Sequence, residues 1–260
     1  MHKKLFYDIL YLDWIILNFN QKIMSNPLMS EDMFTKTLEE NSEVMTLEWA
    51  INKSLTLIWL TVLTAIWVWK YAEMILPFYI PIVIIAFVIA LIIIFFKKTS
   101  PFLAPVYAIL EWVAIWVISS LFEKEMPWII IQTVSLTFWV FIIMLGLYKY
   151  KIIKATEKFK SSIISATWAI ALIYIISLVW SVTGWFSIPY IHESGLIWIG
   201  FSVVVTGIAA MNLILDFDNI EMWVKMKAPK YMEWYSSFSL LVTLIWLYLE
   251  ILRLLSKIRR

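Results

Sequence analysis

Seven apolar stretches, most of them near the length of a bilayer crossing, alternate with short polar segments along this chain. They run over residues 54–69, 76–96, 102–122, 128–148, 163–185, 195–215 and 236–255. A helix needs about 20 predominantly apolar residues to span the hydrocarbon core, so the pattern predicts seven transmembrane helices. The first stretch is short, but Lys53 and Lys70 at its ends can reach the interface with their head groups. Pro77, Pro101, Pro127, Gly184, Pro189, Gly195 and Pro229 fall at stretch edges, where the chain must break. Pro81 and Pro105 read as first-turn residues, where a missing N–H is tolerated. The expected architecture is an all-α integral membrane protein.

Residues 1–50 differ in kind from residues 51–260. Asn26-Pro27 and the acids Glu31, Asp32, Glu39, Glu40 and Glu43 mark a polar arm. The segment from Leu5 to Phe19 is apolar enough to lie on a membrane surface as an amphipathic helix. A cleaved signal peptide fits less well. Asp8 and Asp13 interrupt the apolar run, and no small-residue cleavage site follows.

Charge adds an orientation. With the N-terminus in the cytoplasm, the arm together with Lys53 and the segments around 97–98, 149–160 and 225–230 hold 15 of the 21 basic residues. The opposite loops hold only Lys70 and Lys124, so the asymmetry places the N-terminus inside. Lys257, Arg259 and Arg260 oppose this, because a seventh full crossing carries them outside. A re-entrant or tilted last segment would return them, and both readings stand at this level.

Composition narrows the function classes. The 260 residues are 62% hydrophobic and only 15% charged, against about a quarter charged in soluble domains. A net charge of +2 argues against nucleic-acid binding. With no Cys and two His, neither a thiol nucleophile nor a three-His zinc site can be built. No constellation for catalysis or for a bound cofactor is visible, and no Gly-rich phosphate loop occurs. The expectation is a protein that is not an enzyme.

Ionisable groups within apolar stretches are the candidates for function, because charge is costly there. Glu111 sits mid-stretch, with Ala104, Ala108, Ala114, Ile115 and Ser119 nearby by helical spacing, so its carboxyl should point inward. It reads either as a group on an ion path or as a neutral carboxyl bonded to a neighbouring helix. Asn212, Asp216 and Asn219 share one helical face, with Asp218 nearly opposite. Asp218 reads first as a solvated carboxylate ending a helix. In the last stretch, Ser236, Ser239, Thr243, Trp246, Glu250, Arg253 and Lys257 recur at spacings of three and four. That polar stripe predicts a helix with no lipid-facing role for this side, hence a central one. Glu250 and Arg253 are also close enough to neutralise each other locally.

Three blocks resemble the transmembrane Bax inhibitor motif family in its bacterial branch. They are Lys97-Lys98-Thr-Ser-Pro101 running into Tyr107-Ala-Ile-Leu-Glu111, Asn212-Leu-Ile-Leu-Asp216-Phe-Asp218-Asn-Ile-Glu221, and Ala228-Pro-Lys-Tyr-Met-Glu-Trp-Tyr235 running into Leu247-Tyr-Leu-Glu250-Ile-Leu-Arg253. The resemblance covers residue 50 onward and implies a seven-helix bundle with the last helix central. It also implies pH-sensitive calcium leak, sensed by one carboxylate from helix six and one from helix seven near a basic residue ending helix two. By motif these are Asp216, Glu250, and Lys97 or Lys98. This chain carries Glu where Asp is usual, Lys where Arg is usual, and a longer arm. A prokaryotic inner membrane is the implied location.

On that reading Asp216 and Glu250 share a proton and clamp helices six and seven together. When both ionise, repulsion of a few kcal/mol at an effective dielectric near 20 opens a path. The anionic site then takes up calcium transiently through oxygen ligands. Lys97 or Lys98 biases the ionised state, and Glu111 extends the pathway. The other class of function is a non-conducting regulator of a membrane partner, such as a protease or a cell-death component, contacted through the arm and the segment 149–160.

Overall fold

The computed structural model describes residues 43–183 and 195–259, with side chains at 61–73 and 178–183 outside that description. The amphipathic segment predicted between Leu5 and Phe19, the arm's acids before Glu43, and His192 lie outside the described residues. Among the described residues there are seven long helices: α1 (Leu47–Ile75), α2 (Tyr79–Phe95), α3 (Ser100–Glu125), α4 (Ile129–Lys149), α5 (Glu157–Thr183), α6 (Leu196–Lys225) and α7 (Met232–Arg259). Single 3-10 turns, Leu76–Phe78 and Lys97–Thr99, join α1 to α2 and α2 to α3. Among the described residues six helices are long and apolar enough to cross a membrane.

Each predicted stretch is centred on one helix, with 76–96 also taking in the 3-10 turn before α2 and 163–185 running past the described residues, and most helices are longer than the stretch. With 30 residues in α6 and 28 in α7, these rods are roughly 45 and 42 Å long at 1.5 Å per residue. Both exceed a hydrocarbon core of about 30 Å, so their polar ends project beyond it. The boundary expected at residue 50 falls inside the first turn of α1. Pro105 is the sixth residue of α3, one turn later than expected.

The turns show how the chain reverses. The Glu123 carboxylate at the end of α3 accepts the backbone N–H groups of Trp128 (2.7 Å) and Ile130 (3.0 Å). It thereby satisfies donors that the first turn of α4 leaves open and complements the positive end of that helix. Lys151 and Lys227 sit at φ 55° after the ends of α4 and α6. Behind Lys227, Ala228 N–H bonds Trp223 C=O (3.1 Å) and Lys227 N–H bonds Val224 C=O (3.1 Å). That is the Schellman closure, in a left-handed position that usually takes Gly.

Packing fixes the directions of the helices. The first turns of α1 and α3 and the end of α2 gather round the first turns of α7, through Lys53–Glu233, Ser100–Tyr231 and Lys97–Tyr235. The last turns of α7 meet the starts of α6 and α4, through Lys257–Ser202 and Arg259–Gln132. Helices therefore alternate in direction, and α7 is one unbroken rod rather than a re-entrant segment. It packs against α1, α3, α4 and α6 and buries Tyr235, Phe238, Leu241, Leu247 and Leu252. By contrast α2 and α4 bury few of their apolar side chains and expose many, as faces turned to lipid do.

The face of α3 predicted for close packing is in place. Ala104, Ala108, Ala114, Ile115 and Ser119 are all buried, and small residues there let α3 approach α1 closely. Ser119 shares a 2.7 Å hydrogen bond with Tyr248 of α7.

Before α1, residues 43–46 form a strap across the α6–α7 turn. Met45 N–H bonds Ala228 C=O (2.7 Å), Lys230 N–H bonds Glu43 C=O (2.8 Å), and the Lys230 ammonium pairs with Glu43.

Candidate functional site

The polar stripe of α7 is the axis on which the candidate residues are arranged, and it meets them at successive levels. At the first level, Glu233 is fully buried and ion-paired with Lys53 of α1, while also accepting Thr46 N–H (2.9 Å). The Lys53 ammonium lies over the rings of Trp234 (5.3 Å) and Trp49 (6.0 Å). Lys53 is thus an interior partner of an acid and not a snorkelling end residue. The sequence reading missed Glu233, whose signal was its position three residues before Ser236, at the head of the polar stripe.

Lys97 also approaches this level. Its ammonium stands 4.5 Å from the Tyr235 ring centroid and 5.8 Å from that of Trp223. No bond joins Lys97 to Asp216, which lies seven residues before Trp223 on α6, roughly 10 Å of helix rise away from it. Lys98 is exposed at the turn.

One turn further along α7, Ser239 donates a 3.1 Å hydrogen bond to Oδ1 of Asp216. Asp216 is buried, and its Oδ2 has no hydrogen-bond partner. This is the meeting point of α6 and α7, and a hydroxyl faces the carboxylate there. The acid pair expected of Asp216 and Glu250 is therefore not assembled. Glu250 lies eleven residues beyond Ser239, roughly 16 Å along the helix. Spacing could assign both acids to one boundary but could not say which α7 residue stands level with Asp216.

Glu250 has its own cation. Arg253 Nη1 lies 3.0 Å from Oε1 and 3.1 Å from Oε2, and Glu250 is buried. Oε1 also accepts the Tyr174 hydroxyl of α5 (2.8 Å) and Trp246 Nε1 (3.2 Å). Arg253 bonds the same Tyr174 oxygen. The local neutralisation suggested by the three-residue spacing is what this structure contains. Further out, the buried Lys257 donates to Ser202 Oγ (2.8 Å).

Asp218 is not a freely solvated helix end. It forms a 2.6 Å ion pair with Lys160 of α5, a lysine buried despite its place in a basic loop. The Tyr148 hydroxyl of α4 bonds Glu221 and lies 3.5 Å from Asp218 Oδ1. Glu111 stands apart. It is half-buried and makes no hydrogen bond or ion pair among the described residues, and the phenols of Tyr79 and Tyr107 lie within reach of its charge. No cluster of three or more metal-binding side chains occurs among the described residues.

Long apolar helices joined by buried polar contacts define a helical integral membrane protein, in whose interior the Asp216 carboxylate meets no cation among the described residues. The chain belongs to the Bax inhibitor 1 like family, whose profile matches residues 26–260. No curated protein matches the chain.

Proposed function

We propose that the chain forms a seven-helix transmembrane bundle with α7 at its centre and serves as a pH-sensitive leak for cations, calcium foremost, rather than as an enzyme. The observation that supports this most is Asp216: a buried carboxylate with one oxygen held by Ser239 and the other without a partner. Such a group is costly to leave charged and alone in a low-dielectric interior. Taking up a proton or a cation relieves that cost. Protonated, Asp216 offers nothing to a passing ion. Ionised, it presents hard oxygen to a divalent cation. In this reading calcium visits Asp216 transiently, and Glu250 serves as a second carboxylate deeper along α7, normally occupied by Arg253. The basic residues of the arm and of the segments around 97–98, 149–160 and 225–230 support an N-terminus in the cytoplasm of a prokaryotic cell.

Calcium flux into proteoliposomes between pH 5 and 8 tests the proposal. Asp216→Asn is expected to abolish the pH dependence, and Glu250→Gln to change flux while leaving its pH profile in place. An unchanged profile in Asp216→Asn overturns the role of Asp216.

The strap of residues 43–46 favours a second reading, a non-conducting regulator of a membrane protein partner, because those residues are held against the α6–α7 turn. Deleting residues 1–42 separates the two. A regulator loses its phenotype on deletion, whereas a leak retains its flux.

A further inference from the structure

Like α2 and α4, α5 buries few side chains, but its inward contacts are largely polar. Between Glu157 and Ser177 only Lys160, Ile163 and Ile170 are buried, while Trp168, Leu172, Ile173, Ile175 and Ile176 are exposed. Its inward positions follow a heptad. Lys160, Thr167 and Tyr174 are seven apart, with Ile163 and Ile170 three residues after the first two. In a coiled-coil seam the first of these position sets is normally apolar. Here each member is polar, and each reaches a polar group on a neighbouring helix.

Lys160 pairs with Asp218 at one end of α6 (2.6 Å). Thr167 Oγ1 accepts Asn212 Nδ2 midway (2.9 Å). Tyr174 meets Glu250 and Arg253 of α7 at the far end (2.8 Å to Glu250). In lipid, apolar surface gains little from helix contact, because acyl chains solvate it as well as a neighbouring helix does. Interhelix hydrogen bonds and ion pairs then decide attachment, and α5 has three, evenly spaced.

We propose that α5 is a hinged outer helix, latched to α6 and α7 by Thr167–Asn212 and Tyr174–Glu250/Arg253 and pivoting about its Lys160–Asp218 end. The exposed apolar side of α5 faces lipid whether the latch is shut or open, so opening adds no apolar exposure to water. The Lys160 end serves as the pivot because a buried ion pair costs more to break than the hydrogen bonds farther along the helix. Opening uncovers the Glu250–Arg253 pair, the most deeply placed charged group that α5 covers. The motion is independent of which ion, if any, the bundle conducts.

Double electron–electron resonance on the full chain in lipid nanodiscs tests this, and the absence of Cys makes the labelling clean. Labels at Leu172→Cys on α5 and Ile131→Cys on α4 report the latch. Labels at Ile131→Cys and Ile258→Cys report the rest of the bundle. Thr167→Val with Tyr174→Phe is expected to raise the population of a longer α5–α4 distance about threefold for each latch removed, equivalent to about 0.6 kcal/mol per hydrogen bond in lipid. The Ile131–Ile258 distance should not change. Ile163→Ala with Ile170→Ala should have the smaller effect. An unchanged α5–α4 distribution in the latch variant overturns the proposal. So does a larger effect from the two Ile→Ala changes, or a spread in the Ile131–Ile258 distance showing that the whole bundle has loosened.

Discussion

Lys53 of α1 and Glu233 of α7 are 180 residues apart in sequence and form an ion pair in which the acid is wholly enclosed. The pair closes the end of the bundle where α1, α2, α3 and α7 converge. Removing one partner from a buried pair typically costs about 3–5 kcal/mol, because the other charge is stranded. Lys53→Met is therefore expected to destabilise the protein by about 3 kcal/mol. The double change Lys53→Met/Glu233→Met should recover much of that loss. Chemical denaturation in detergent measures both. If the double variant is no more stable than the single, the pair is not the unit described.

Asp216 and Glu250 belong to separate clusters, and a thermodynamic cycle can show it. Sites farther apart than about 7–10 Å without shared partners add to within about 0.5 kcal/mol. Asp216→Asn combined with Glu250→Gln should be additive within that range, whereas Asp216→Asn combined with Ser239→Ala should couple by more than about 0.5 kcal/mol. Strong coupling between the two acids would restore the paired-carboxylate arrangement.

Lys151 and Lys227 occupy left-handed positions that cost a side-chain-bearing residue about 1–2 kcal/mol. Gly adopts them without that cost. Lys227→Gly and Lys151→Gly should each stabilise the protein by about 1 kcal/mol. A thermal shift in detergent would reveal it, and a fall in stability would mean that the lysine side chains hold the turns by other contacts.

The strap supplies a pH prediction outside the membrane. The Lys230 ammonium bonded to Glu43 holds its carboxyl below the usual carboxylate range. A depressed acid contributes stability above its unfolded value and loses it as pH falls through the folded one. The strap should hold at neutral pH and loosen once pH drops below about 4, the ordinary range of a Glu. Hydrogen exchange at Met45 and Lys230, whose N–H groups are both bonded across the strap, reads this directly. Because the pair is exposed, salt should weaken it at any pH. Exchange rates that ignore acid and salt alike would assign the strap to its backbone bonds alone.

Much of the helical fold was legible because lipid demands long apolar runs, and those runs are visible without any partner. The inward face of α3 was legible for a related reason: Ala104, Ala108 and Ser119 are small at helical spacing. Helix ends were not. The last ten residues of α6 look like a polar loop, yet they stay helical because Asp218 finds Lys160 and Glu221 finds Tyr148 on other helices. The stripe on α7 was legible as a stripe, since Ser239, Thr243, Trp246 and Glu250 recur at the helical period. Which residue of it stands opposite Asp216 depends on the axial offset between two rods. That offset is set by the three-dimensional turn at 226–231 and the strap beneath it, and no spacing along one helix encodes it. Lys160 and Glu233 escaped notice because buried and solvated charges look alike until their partners are placed.

The unbroken course of α7 has a further consequence. In the seven-crossing arrangement proposed above, an odd number of alternating rods puts the first turn of α1 and the last turn of α7 in different aqueous compartments. Arg259, bonded to the Pro127 carbonyl and Gln132 at the far rim, therefore samples a different acidity and a different ionic milieu from Glu43 and Lys230. A reporter fused behind it should be active only in the compartment that the strap never meets.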